Sequence, residues 1–113
     1  MIQPKPHSIA IYARTATISQ GESTGLDAQE ARCRREAARR GVMVMRVYRD
    51  EGSGLRLSRP GLDALRAAVA DKQVTAIIVD SPGRLARDGE DYATLLAEWR
   101  RARVVIIVAG QAA

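Results

Sequence analysis

The sequence predicts an α/β domain of three layers, αβα, with a mostly parallel sheet between two layers of helices. Four short apolar runs, at residues 8–13, 42–48, 74–79 and 104–108, have the length and the β-branched content of strands. Three segments between them repeat apolar residues at helical spacing. This alternation favours right-handed crossovers, which place the strands in parallel. A length of 113 residues is enough for one such domain and too short for two.

The predicted helices span residues 25–40, 60–71 and 88–102, and each has one apolar face. Gly41 follows the first helix as a C-terminal stop, and Pro60 marks the first turn of the second. The fourth strand is apolar throughout, which predicts that both of its faces are covered. The helix side chains expected to point inward are Leu26, Cys33, Ala37, Leu62, Leu65, Ala68, Val69, Tyr92, Leu95, Leu96 and Trp99.

The composition argues against several kinds of protein. One cysteine and one histidine are too few for a typical zinc site, so we expect no metal, and we also expect no cofactor. No apolar run reaches the roughly 18 residues that a membrane span needs. Residues 1–7 lack the apolar stretch of a signal peptide. We therefore expect a flexible tail at residues 1–7, followed by a cytoplasmic domain at residues 8–113.

The charge balance indicates an anionic partner. The chain has 18 basic and 13 acidic residues, which gives a net charge of +5. Lys5 and Lys72 are the only lysines, so the other basic residues are arginines. A guanidinium group binds two phosphate oxygens at once, which favours nucleic acid as the partner. A coding sequence biased towards arginine and alanine would give the same excess, so the positions of individual arginines carry more information.

Polar side chains of one kind follow the first three predicted strands. The carboxyl ends of parallel strands meet at one edge of a sheet, so we expect the loops at 14–24, 49–58 and 80–87 to form the site. Four arginines in or beside these loops are Arg14, Arg59, Arg84 and Arg87. Together they would repel one another unless an anion such as phosphate lay between them. The alternative is that each pairs with a nearby carboxylate, from Asp50, Glu51, Asp80 or Asp88.

Several motifs occur in a fixed order along the chain. They are Tyr12-Ala13-Arg14-Thr15-Ala16-Thr17 followed by Gln20, Gly25-Leu26-Asp27-Ala28-Gln29, Asp50 with Ser53-Gly54, Arg59-Pro60, and Gly83-Arg84-Leu85-Ala86-Arg87-Asp88. In this order and spacing, the sequence from residue 8 to residue 109 resembles the catalytic domain of the serine recombinases, the resolvase/invertase family.

The resemblance implies a sheet of four to five strands and a site that acts on duplex DNA. In the family a serine hydroxyl attacks a DNA phosphodiester; that serine falls on Ala16, and an aspartate of the last motif falls on Gly83. The resemblance also implies catalytic roles for Arg14, Arg84 and Arg87. It implies phosphate or DNA contacts for Tyr12, Gln20, Gln29, Asp50, Ser53 and Arg59. We expect residues 8–113 to lack the family's long dimerisation helix and its separate DNA-binding domain.

Three functions remain open from the sequence. The first is a recombinase-like domain that cannot cleave DNA, because a methyl group is no nucleophile, but that binds DNA phosphates or a partner, either a full-length recombinase or a second copy. The second is an active recombinase domain, in which a displaced hydroxyl such as that of Thr17 attacks or Ala16 is an engineered replacement of serine. The third is a small α/β domain that binds a phosphorylated ligand. The missing glycine-rich phosphate loops count against the third.

Overall fold

The computed structural model describes residues 8–15, 25–51 and 59–110, in which strands and helices alternate. Strands β1 to β4 span Ile9–Thr15, Val44–Glu51, Ala76–Val79 and Val105–Val108, and helices α1 to α3 span Leu26–Arg40, Pro60–Ala70 and Gly89–Arg101. A 3₁₀ turn, Pro82–Arg84, lies between β3 and α3. The strands are parallel, in the order β2-β1-β3-β4. The predicted α/β fold is therefore confirmed.

Two apolar clusters on opposite faces of the sheet hold the layers together. On one face, α1 packs Cys33 and Ala37 against Ile9 and Ile11 of β1. On the other face, α2 and α3 pack against the intervening residues of β1 and β3. The fully buried side chains of that second cluster are Tyr12, Leu62, Leu65, Ile77, Val79, Leu85, Leu95 and Trp99. Because successive strand residues point to opposite faces, β1 contributes to both clusters and lies at the centre of the domain.

Two strands are longer than the apolar pattern predicts. β1 continues through Arg14 and Thr15, and β2 continues through Asp50 and Glu51. The two extensions pair with each other, with Arg14 opposite Asp50 and Thr15 opposite Glu51. Main-chain pairing between neighbouring strands does not require apolar side chains, so the sheet extends past the end of the apolar run. Arg14 and Asp50 accordingly lie on strands, whereas the sequence placed them in loops.

The last strand, β4, is less covered than its apolar sequence predicts. Val105 is 60% exposed, and the other residues of β4 are half-buried. β4 lies at one edge of the described sheet and pairs with β3 alone. Tyr92 and Leu96 of α3, which were predicted to be buried, are also only half-buried at this edge. The prediction that both faces of this strand are covered was wrong, because an edge strand has packing neighbours on one side only.

None of the helices in the described ranges is long and apolar enough to span a lipid bilayer.

Candidate functional site

The carboxyl edge of the sheet brings together five of the side chains that the sequence singled out. Tyr12 and Arg14 are at the end of β1, Asp50 is at the end of β2, Arg59 precedes α2 and Arg84 ends the 3₁₀ turn. Arg14, Asp50 and Arg59 are all buried, with at most 6% of their surface exposed. Three further predicted site residues, Ala16, Gln20 and Ser53, lie outside the described residues.

Asp50 joins β1, β2 and α2 through its carboxylate. Oδ2 accepts a hydrogen bond of 2.7 Å from the hydroxyl of Tyr12. The main-chain N–H groups of Gly61 and Leu62 donate to Oδ1 and Oδ2 at 2.7 and 2.8 Å. Arg59, at the N-cap position of α2, makes no side-chain cap, so Asp50 supplies the acceptor for the first turn of this helix. Burial, together with the hydrogen bond to Asp50, raises the pKa of Tyr12 and keeps its phenol protonated.

Arg59 is a buried cation, and two of its nitrogen atoms make no hydrogen bond to the described residues. Its guanidinium lies over the ring of Tyr12, 5.7 Å from the centroid, and Nη2 donates to the carbonyl of Leu85. Nε and Nη1 are buried without a hydrogen-bond partner among the described residues. A buried donor without a partner costs about 1–3 kcal/mol, so this arrangement favours an additional acceptor near Arg59.

The side chains of Arg14 and Arg84 each donate hydrogen bonds to main-chain carbonyls of the other segment. Arg14 donates from Nε to the carbonyl of Arg84 at 3.0 Å and from Nη2 to the carbonyl of Gly83 at 2.9 Å. Arg84 in turn donates from Nη1 to the carbonyl of Arg14 at 3.3 Å, while its Nε is buried with no hydrogen-bond partner in the described part of the chain. These reciprocal bonds fix the end of β1 against the 3₁₀ turn and keep two cations close together.

The charges of the neighbouring arginines affect Arg14. Burial, followed by the positive charges of Arg59, Arg84 and Arg87, lowers the pKa of Arg14 below its ordinary value. The resemblance implies catalytic roles for both Arg84 and Arg87. The 3₁₀ turn ends at Arg84, α3 begins at Gly89, and Arg87 is exposed between them. Arg84 therefore belongs to the buried cluster, whereas Arg87 lies at its exposed margin.

Gln29 of α1 hydrogen-bonds to the main chain of the site residue Arg14. The resemblance implies a phosphate contact for this residue, but its side chain is fully buried in α1. Oε1 accepts a hydrogen bond of 3.1 Å from the N–H of Arg14, and Nε2 donates to the carbonyl of Arg14 at 2.9 Å. The amide thus pairs with Arg14 much as a neighbouring strand would, and it fixes the backbone of Arg14.

Two residues that sequence reasoning did not assign to the site are next to it. Asp80 follows β3 and pairs with Arg32 of α1, with Nε of Arg32 2.6 Å from Oδ1. The sequence offered Asp80 only as an alternative partner for the arginines and gave Arg32 no role in the site. The position of Asp80 immediately after an apolar strand was the available signal, because the strand ends form the site.

The acidic and sulfur-bearing side chains of the described ranges do not form a metal site. No group of three or more histidine, cysteine, aspartate or glutamate residues in these ranges could hold a metal ion. The described part of the site brings the guanidinium groups of Arg14, Arg59 and Arg84 together beside main-chain carbonyls.

Comparison with known sequences points to one family. Residues 9–112 match the family described as "Resolvase, N terminal domain". The chain is 38% identical over 88 residues to the transposon Tn3 resolvase of Escherichia coli, covering 78% of this chain and 42% of that protein. The chain spans less than half the length of the curated relatives that it matches first.

Solved structures agree with the sequence comparison. The N-terminal catalytic domain of TP901-1 integrase superimposes with a TM-score of 0.85 at 29% identity, covering 89% of this chain and 76% of the other. The C-terminal catalytic domain of ISC1926 TnpA, an IS607-like serine recombinase, gives a TM-score of 0.82 at 29% identity, covering 89% of this chain and 66% of the other. The sequence comparison and the structural comparison thus point to the same family.

Proposed function

Since this chain belongs to the resolvase family of serine recombinases, we propose that its arginine cluster binds the phosphates of duplex DNA without cleaving them. The observation that carries the proposal is that three guanidinium groups, from the end of β1, the start of α2 and the 3₁₀ turn, meet at one edge of the sheet. We use the name arginine cluster for Arg14, Arg59 and Arg84.

The electrostatics of the arginine cluster support an anionic ligand. Arg14 and Arg59 donate to main-chain carbonyls, which carry no full charge. The carboxylate of Asp50 is already engaged by Tyr12 and by the first turn of α2. A phosphate diester would bring a negative charge and acceptors for the buried donors on Arg59 and Arg84.

The inability to cleave follows, in this proposal, from residue 16. The resemblance places the nucleophilic serine at Ala16, and a methyl group has no lone pair with which to attack phosphorus. Thr15, the adjacent hydroxyl, is 8% exposed and pairs with Glu51 within the sheet, so it is poorly placed to substitute. Binding energy without a nucleophile does not produce turnover.

The binding part of the proposal is tested with Arg84→Gln in a fluorescence anisotropy titration of a short random-sequence duplex at low salt. We expect this variant to weaken binding by about tenfold, and to reduce the slope of log K against log salt by about one, because one phosphate contact is lost. Arg101→Gln, which removes the same charge from an exposed position on α3, is the matched control. We expect it to change affinity by about twofold or less.

Equal losses in these two variants would mean that only overall charge matters, and the arginine cluster would not be the binding site. Saturable binding of free nucleotides by the wild-type protein, with no binding of duplex, would instead support a domain for small phosphorylated ligands. Thermal unfolding of each variant, followed by circular dichroism, identifies any loss of binding that is caused by unfolding.

The cleavage part is tested with Ala16→Ser on supercoiled DNA carrying a recombination site of the family, followed by denaturing electrophoresis for covalent protein–DNA adducts. We expect no adduct with the wild-type protein, an adduct with Ala16→Ser, and none with Ala16→Ser combined with Arg84→Gln. An adduct formed by the wild-type protein would contradict the proposal. Loss of that adduct in Thr17→Ala would then identify a displaced hydroxyl as the nucleophile.

A further inference from the structure

Asp80 places one carboxylate between guanidinium groups from two different elements. Arg32 of α1 donates from Nε to Oδ1 at 2.6 Å and from Nη2 to Oδ2 at 3.1 Å. Nη2 of Arg84 lies 3.7 Å from the same Oδ2. The two-point contact with Arg32 fixes the plane of the carboxylate, because a guanidinium and a carboxylate match as two parallel hydrogen bonds.

We propose that Asp80 is a positioning residue, which orients Arg84 within the arginine cluster while Arg32 holds Asp80 in place. The proposal rests on the function proposed above. It assigns a role to the ion pair of Arg32 and Asp80, which lies outside the arginine cluster. Its experiments separate failure of this role from failure of DNA binding.

Arg84 needs an external support because its other contacts are weak. The hydrogen bond that it donates to the carbonyl of Arg14 is long, at 3.3 Å, and its Nε is buried with no hydrogen-bond partner among the residues that the structure describes. The nearby cations repel it, and Gly83, the preceding residue, has no side chain to offer. Within the described ranges, Asp80 is the carboxylate that pairs with Arg84, and Asp50 is engaged by Tyr12 and α2.

Partial burial strengthens the electrostatic attraction between Asp80 and Arg84. The side chains of Asp80 and Arg84 are 15% and 20% exposed, so water screens their attraction less than it screens a surface pair. The hydrogen bonds to Asp80 raise the pKa of Arg32, which is consistent with a tightly held pair. Asp80 therefore connects α1 to the 3₁₀ turn and limits the directions that the Arg84 guanidinium can take.

The proposal makes a prediction opposite in sign to simple electrostatics. Asp80→Asn raises the net charge by one, and a long-range field effect alone would then tighten binding to DNA. If Asp80 orients Arg84, the same variant weakens binding in spite of the added charge. The direction of the change thus separates the two explanations.

Anisotropy titration of a short random-sequence duplex at low salt measures this direction. Glu98→Gln is the matched control, because Glu98 forms a comparable two-point pair with Arg66 between α2 and α3, with an Nε–Oε2 distance of 3.0 Å. We expect Asp80→Asn to weaken binding about fivefold and Glu98→Gln to leave it unchanged or slightly tighter. Equal effects of the two variants, or tighter binding by Asp80→Asn, would overturn the role of Asp80.

The ¹⁵N spectrum of the free protein gives a second readout that is independent of DNA. We expect the Arg84 Nε–H resonance, assigned by its loss in Arg84→Lys, to shift or broaden in Asp80→Asn, to remain in Glu98→Gln and to be largely restored in Asp80→Glu. An unchanged Arg84 resonance in folded Asp80→Asn would overturn the proposal. If Asp80→Asn does not fold, Arg32→Lys, which keeps the charge but loses the two-point contact, is expected to shift the same resonance, and no shift would count against the proposal.

A wild-type protein that does not bind duplex at low salt would contradict the proposed function. The spectra would then decide alone whether Asp80 orients Arg84.

Discussion

Single residues at the carboxyl edge of the sheet have little freedom to change, and Gly61 shows this most directly. It lies in the first turn of α2 and donates its N–H to Asp50 at 2.7 Å. A Cβ at this position would lie 2.9 Å from Oδ2 of Asp50 and would overlap the main-chain carbonyl of Arg49. The helix start and the end of β2 thus approach each other more closely than any side chain allows.

We expect Gly61→Ala to reduce the free energy of unfolding by about 1–3 kcal/mol, because the clash involves backbone that cannot yield locally. Urea denaturation measures the change. Gly89→Ala is the control, since it is also in the first turn of a helix and a Cβ there meets no atom within 4 Å. We expect this control to be neutral or slightly stabilising, because alanine favours helix. Similar losses in both variants would contradict the steric explanation.

Residue-scale reasoning from the sequence identified Tyr12, Arg14, Asp50 and Arg59, but it could not identify what each of them contacts. Arg14, Asp50 and Arg59 follow the ends of apolar runs, whereas Tyr12 lies inside the first run and was assigned through the family resemblance. Gln29 and Asp80 show the limit: both depend on contacts across α1, with hydrogen bonds spanning 15 and 48 positions along the chain. No local pattern encodes such distances, so their roles required the coordinates.

At the scale of the elements, all three helices end in the same turn before the next strand. A residue with a left-handed backbone follows each helix: Gly41 with φ of 70°, and Lys72 and Arg103 with φ of 61°. The next N–H reaches back five residues each time, as in the bond of 2.8 Å from Val104 to the carbonyl of Trp99. Glycine favours this conformation, and other residues adopt it at a cost.

We therefore expect Arg103→Gly to raise the free energy of unfolding by about 0.5–1 kcal/mol, since the left-handed strain is relieved. Arg101→Gly serves as the comparison, because it lies in the last turn of α3, where glycine is expected to lower stability by about 1 kcal/mol. Thermal or urea unfolding distinguishes the two. Destabilisation by Arg103→Gly would show that the side chain matters more than the backbone angle.

The elements themselves were the most predictable feature of this chain. Alternating apolar runs and helical periodicity gave each helix to within one or two residues, because burial on a sheet face imposes these periods. The ends of β1 and β2 were missed, since pairing of Arg14 with Asp50 depends on the neighbouring strand. The exposure of β4 was missed as well, because an apolar sequence does not reveal whether a strand is central or at an edge.

At the scale of the whole molecule, carboxylates bound to arginines and to backbone make the fold sensitive to acid. Hydrogen bonds from the main chain of Gly110 and from Arg39 and Arg40 lower the pKa of Glu36 from 4.5 to about 2. The side chains of Arg49 and Arg66 likewise lower the pKa values of Glu30 and Glu98. A carboxylate with a lowered pKa in the folded state contributes stability above its unfolded pKa and loses it as the pH falls through its folded value.

We expect the free energy of unfolding to be nearly constant from neutral pH to about pH 5 and to fall steadily between about pH 5 and pH 2. Glu36→Gln should be less stable than wild type at neutral pH and should show a smaller fall over that interval. Urea denaturation at a series of pH values gives both quantities. Parallel curves for the two proteins would contradict the role assigned to Glu36.

The order of strands across the sheet has a consequence for how the chain folds as it is synthesised. β1 pairs on one side with β2 and on the other with β3, where Ile9 is opposite Ala76. The ribosome must therefore release the chain at least through β3 before the second side of β1 can pair. Contacts between residues so far apart in sequence form more slowly than local contacts. Until they form, one side of the apolar strand β1 remains unpaired, and this is the stage at which chaperones bind nascent proteins.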